Sequence, residues 1–141
     1  MAGGYVSVQL DKSQQKEIQQ LLGKADLDSI DDMHCTLMYD ESNPDIDYDT
    51  KEKETYTAKV TGIEKLGKAI VLLLDSPELT KRHKELKKLG FEHSYDDLLC
   101  HMSVIYDPES TDLDVVELMY KLEVFPEVLT FTSEKNVDLE D

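Results

Sequence analysis

The sequence predicts a single α+β domain, on three observations. Short apolar segments that alternate with polar residues are interleaved with segments of helical period. A pair of such strands meets at Leu66-Gly67 as a hairpin. Two further strand-like segments, Met33-His34-Cys35-Thr36-Leu37-Met38-Tyr39 and Cys100-His101-Met102-Ser103-Val104-Ile105-Tyr106, are near copies of each other, one in each half of the chain. A chain of 141 residues, 40% of them hydrophobic, is long enough for one domain with a real core and short for two. Residues 1–141 are therefore read as one domain.

The elements follow in order. Tyr5 to Leu10 alternates cleanly, with Val6, Val8 and Leu10 inward and Tyr5, Ser7 and Gln9 on the other face. Asp11 and Gln14 have capping-box spacing, Ile18, Leu21 and Leu22 recur with helical period, and Gly23 suits the C′ position, so a helix is expected over 12–22. The first histidine strand comes next. Residues 40–54, acidic and carrying Pro44, read as a long surface loop. Strands over 56–65 and 68–75 form the hairpin. Ser76-Pro77-Glu78 is a helix start with cap, first-position proline and first-turn acid, and Leu79, Leu86 and Leu89 supply the apolar stripe. Residues 91–99 lead as a loop into the second histidine strand. Asp112 is expected to cap a third helix buried through Leu113, Val116, Met119, Tyr120 and Leu122. A last strand covers 128–133, followed by an acidic tail.

Charge narrows the function. With 15 Lys and Arg against 31 Asp and Glu, the formal charge is −16. Such a chain repels polyanions, so DNA and long RNA are excluded as partners and a small diffusible substrate is favoured. No apolar run reaches the roughly 18–20 residues that span a bilayer. No secretory leader is seen at the N-terminus and Ala2 disfavours myristoylation, so no membrane partner and a cytoplasmic location are expected.

The two histidine strands carry the chemistry. Each reads His-x-(Thr/Ser)-x-x-Tyr-Asp. Alternation puts His34 with Thr36, and His101 with Ser103, on one face. A histidine titrates near neutral pH and serves as either general base or general acid. Hydroxyl groups beside it can donate hydrogen bonds to non-bridging phosphoryl oxygens as their charge grows in the transition state. The set suits a phosphodiester with an adjacent ribose 2′-hydroxyl: one histidine takes the 2′ proton, the other protonates the leaving 5′ oxygen. The chemistry calls for no metal or other cofactor. Strand neighbours point to opposite faces, so His34 and Cys35 are poorly placed to share zinc, and Cys35 and Cys100 read as packing residues. By the same alternation Tyr39 and Tyr106 fall opposite the histidines, in the core. His83 and His93 are expected in solvent, and Lys81, Arg82, Lys84, Lys87 and Lys88 are read as the outer face of a helix.

These motifs resemble the paired H-x-(T/S) motifs of the 2H phosphoesterase superfamily, and the resemblance extends over most of the chain. It implies bilobal, pseudo-symmetric antiparallel sheets around a central groove, helices packed outside, and His34, Thr36, His101 and Ser103 facing the groove as catalytic residues. The segments YVSV, HCTLMY and H-x-S-x-x-Y-D are most similar to the small anti-CBASS phosphodiesterases of tailed phages. That resemblance implies cleavage of cyclic di- and trinucleotide alarm signals, evasion of host immunity, and base-holding residues near the first strand and the C-terminal segment, for which Tyr5 and Glu134 stand. The same four groups also suit an enzyme for RNA-end 2′,3′-cyclic phosphates or 2′-5′-oligoadenylates. A protein that sequesters nucleotides without cleaving them is the reading of another class.

Overall fold

The computed structural model describes residues 4–40, 50, 51, 53–91 and 100–138. Along the chain run β1 (Gly4–Leu10), α1 (Lys12–Lys24), β2 (His34–Tyr39), β3 (Tyr56–Leu66), β4 (Ala69–Asp75), α2 (Pro77–Lys88), β5 (His101–Tyr106), α3 (Asp112–Lys121) and β6 (Val128–Asp138). The fold is α+β, as expected. Most of 40–54, His93 with the loop around it, and the end of the acidic tail lie outside the described residues.

The six strands close into a ring in the order β1-β2-β5-β4-β3-β6, antiparallel throughout. The ring divides into two three-stranded halves, β6-β1-β2 and β3-β4-β5. One seam, β3 to β6, is paired from Tyr56↔Phe131 to Lys59↔Val128. The other, β2 to β5, is held by a single pair, Cys35↔Met102. Each histidine strand thus ends one half, and the two meet at the narrower seam.

Local signals fix most element ends. The Asp11 carboxylate accepts from the Gln14 N–H at 3.2 Å, and the Ser76 hydroxyl accepts from the Leu79 N–H at 3.1 Å. Each satisfies one of the unpaired donors at a helix start, worth about 1 kcal/mol. Four details differ from expectation. α1 runs through Gly23 to Lys24, and the reversal falls on Asp26, with φ of 58°. Thr111, not Asp112, precedes α3, while the Asp112 carboxylate accepts from the Glu109 N–H at 2.8 Å. Leu89 and Leu122 are exposed. β6 continues past Ser133 to Asp138.

The last difference has an electrostatic cause. Glu134 is fully buried, with Arg82 Nε and Nη2 donating to its two oxygens at 2.7 and 2.9 Å. The Lys51 backbone N–H adds a third bond at 3.2 Å. A carboxylate so paired can stay inside, and the strand runs on through it. Arg82 is therefore not part of the exposed lysine face. Glu85 also accepts from it, at 3.1 Å, and the Glu134 bond raises its already high pKa further. Nearby, burial first and the Glu134 charge second push the Tyr56 hydroxyl up to about 12.

The core collects Val6, Val8 and Leu10 of β1, Ile18 and Leu22 of α1, and Leu79 and Leu86 of α2. At roughly 1.5–3 kcal/mol per buried aliphatic side chain, this layer holds the helices on the sheet. Cys35 and Cys100 pack together on this buried side as free thiols, and their hydrogen bond, with burial, pushes the Cys35 thiol up.

Candidate active site

The pair Cys35↔Met102 sets the geometry of the site. In antiparallel pairing, one step either side brings His34 opposite Ser103 and Thr36 opposite His101. Directly paired residues share a face, so all four side chains stand together on the face away from Cys35 and Met102. Burial agrees: His34, Thr36, His101 and Ser103 are half-buried, while Cys35 and Met102 are fully enclosed. The two histidines lie on one diagonal of this rectangle and the two hydroxyls on the other. Diagonal neighbours on antiparallel strands stand about 7–8 Å apart, room for a tetrahedral phosphate between two imidazoles.

The first half surrounds its histidine with hydrogen bonds. His34 Nδ1 lies 3.0 Å from the Asp32 carbonyl oxygen, which only accepts, so that nitrogen carries a proton. The Asp32 carboxylate is 3.8 Å from the same nitrogen. Gln9 Nε2 donates to the other Asp32 carboxylate oxygen and, at 3.1 Å, to the Met33 carbonyl. In that tautomer the ring presents Nε2 as an acceptor. There the Tyr5 hydroxyl sits at 2.8 Å, and at 3.0 Å from Thr36 Oγ1. With the Tyr5 proton directed at Nε2, Thr36 donates to the phenol oxygen. Burial raises the Tyr5 pKa, which the Thr36 bond partly offsets, so the phenol keeps its proton at neutral pH. Tyr5 was expected beside the site as a base-holding residue; its hydroxyl stands between the histidine and the hydroxyl of the first motif.

Both motif strands carry a β-bulge at the same place. β1 pairs Val6↔Met38 and then Ser7↔Thr36, leaving Leu37 as the extra residue. β4 pairs Ile70↔Ile105 and then Val71↔Ser103, leaving Val104. An extra residue shifts the alternation by one. Leu37 and Met38 are consecutively buried, as are Val104 and Ile105. The next residues, Tyr39 and Tyr106, therefore come round to the histidine face, paired with Tyr5 and Ala69. This overturns their expected core placement. Tyr39 packs edge-on against Tyr5, ring centroids 5.8 Å apart, while Tyr106 is 55% exposed.

His83 is buried as well, not solvated. Its Nδ1 meets the Leu37 carbonyl of the first bulge. A bulge takes backbone groups out of the ladder, and this imidazole satisfies one of them. Burial lowers the His83 pKa, which the Leu37 bond partly counters. The sequence places His83 in solvent, although its spacing of about one turn from Leu79 and Leu86, both buried, was a usable signal. Glu134, expected as a base-holding residue, is fully buried, and both of its oxygens accept from Arg82. No group of three or more His, Cys, Asp or Glu side chains suited to a metal occurs among the described residues.

Against known proteins, the family model described as "Anti-CBASS protein Acb1" matches residues 2–139. The chain belongs to the Acb1 family. An Acb1 protein of Vibrio phage KVP40 is 31% identical over 121 residues, covering 79% of this chain and 77% of its own length. Another, from Sphingomonas paeninsulae, is 30% identical over 117 residues, which is 70% of this chain. The matched segment spans only 18% of that Acb1 relative. Both strands of the site lie within the part matched by the Acb1 family model.

Proposed function

We propose that this Acb1 protein is a metal-independent phosphodiesterase that cleaves 3′-5′ linkages of cyclic di- and trinucleotides and so disarms CBASS signalling. The observation that carries the reading is the rectangle of His34, Thr36, His101 and Ser103 across the β2–β5 seam. His34, with Nδ1–H tied to the Asp32 carbonyl, offers Nε2 as the base that takes the ribose 2′ proton. The 2′ oxygen attacks phosphorus, and the bond to the 5′ oxygen breaks. His101 gives its proton to that leaving oxygen. Thr36 and Ser103 hold the non-bridging oxygens, whose charge rises as the bond forms. The product is a linear chain ending in a 2′,3′-cyclic phosphate, which water opens with the histidines in exchanged roles.

Before attack, Tyr5 must yield Nε2 to the 2′-hydroxyl, so its phenol acts as a displaceable stand-in for substrate. The charge of −16 disfavours long RNA as the alternative substrate, leaving small nucleotides. The test is incubation with 3′,3′-cyclic GMP-AMP in EDTA, followed by chromatography, beside 2′-5′-oligoadenylate and a 2′,3′-cyclic mononucleotide. Turnover of the cyclic dinucleotide in EDTA, lost in His34→Ala, is the expected result. Intact ligand recovered from the wild type would leave sequestration in its place.

A further inference from the structure

The matching bulges deliver a residue that the four-group chemistry does not use. Tyr106 stands at the end of the rectangle beyond Ser103 and His34, on the catalytic face, with more than half of its surface open. Its partner across β4 is Ala69, whose methyl group is too small to cover the ring. The same face of β4 continues with Val71 and Leu73, paired with Ser103 and His101. Ala69 and Val71 are buried, yet neither joins the main core cluster, so this apolar strip lies on the site side of the sheet.

A phosphate held between two histidines has a nucleoside on either side, and each nucleoside must lie toward one end of the rectangle. At the other end, Tyr39 already packs on Tyr5. We propose that Tyr106 is a base-stacking residue of the site, a flat platform for the nucleobase on its side of the held phosphate. The proposal rests on the nucleotide phosphodiesterase reading above and adds the residue that recognises a base. Base–aromatic stacking is worth about 1–3 kcal/mol, and a tenfold change in affinity corresponds to about 1.4 kcal/mol.

The test compares AMP with ribose 5-phosphate, which carry the same phosphate with and without a base, by NMR titration of the intact protein. Wild type should prefer AMP. Tyr106→Ala should weaken AMP about tenfold, within that stacking range, and leave ribose 5-phosphate as it was. Tyr106→Phe should bind AMP like wild type, since the phenyl face stacks equally well. Equal loss of both ligands, a Phe variant as weak as Ala, or no preference for AMP in the wild type overturns the proposal. Turnover of 3′,3′-cyclic GMP-AMP gives a separate reading: KM should rise in Tyr106→Ala with kcat held. A wild type that fails to cleave it defeats the phosphodiesterase reading, while the AMP comparison still decides Tyr106.

Discussion

The two halves carry the same motif, the same bulge and the same tyrosine, and they surround them differently. In the first half, β1 sets Tyr5, Ser7 and Gln9 beside the motif, and His34 is held at both nitrogens. In the second half, β4 sets Ala69, Val71 and Leu73 beside it. The aspartates that follow diverge too: Asp40 is fully buried, and Asp107 is exposed with φ of 50°. Repetition supplies a pair of equivalent histidines; the neighbouring strand makes them unequal. A polar strand with an acceptor behind the ring surrounds His34, and an apolar strand lies beside His101.

The sharpest way to break this comparison is to remove each histidine in turn. Each positioned acid or base contributes about 10²–10⁴-fold, so His34→Ala and His101→Ala should both lose activity on that scale with a cyclic dinucleotide. A nucleoside 3′-(p-nitrophenyl phosphate) has a leaving group that needs no acid. On it, His101→Ala should recover most of the loss and His34→Ala none. Recovery in the reverse order would exchange the roles, and equal behaviour would erase the asymmetry.

Next in size is the tie between halves. Arg82 follows β4 in the second half, and Glu134 lies on β6 of the first. Arg82→Ala strands a buried carboxylate and should cost about 3–5 kcal/mol of stability, seen as a lower denaturation midpoint. Arg82→Met with Glu134→Leu removes both charges and should regain most of it. Smaller is Tyr5→Phe, which keeps the ring against Tyr39 but deletes the link between His34 and Thr36. The Tyr5 hydroxyl makes two hydrogen bonds there, each worth about 0.5–1.5 kcal/mol, so kcat should change by no more than about a hundredfold, without loss of fold by circular dichroism.

The smallest effect belongs to His83. Its folded-state pKa is lowered, so the unfolded chain binds the proton more tightly. Its contribution is therefore full above the ordinary histidine pKa of about 6.5 and is lost as pH falls through the lower folded value. Denaturant midpoints measured downward from pH 7.5 should fall less steeply in His83→Gln than in wild type; identical slopes would remove His83 from the bulge.

The candidate site is legible in the sequence because its parts are local. His, hydroxyl and tyrosine repeat at one spacing, and the alternation of a strand puts His34 with Thr36 and His101 with Ser103 without knowledge of the rest. Caps at Asp11 and Ser76 were legible for the same reason. What escaped depends on partners far along the chain. Nothing in Thr-Leu-Met-Tyr marks Leu37 as an extra residue; the bulge exists against β1, so Tyr39 and Tyr106 were assigned to the wrong face. Glu134 reads as one acid in an acidic tail until Arg82, on a distant helix, is brought against it. His83 looks like one more polar residue in a lysine-rich helix until the Leu37 carbonyl is known to need a donor.

The single pair that joins β2 to β5 has a thermal consequence. His34 and His101 sit on different halves, and the distance between them is fixed at the seam with least backbone pairing. The opposite seam, paired over four residues of each strand, and the Arg82–Glu134 bridge hold the halves together after the narrower seam has opened. Local opening of this kind lies below global unfolding in free energy. On warming, activity should therefore fade at a lower temperature than the one at which the chain melts, and return on cooling from that interval.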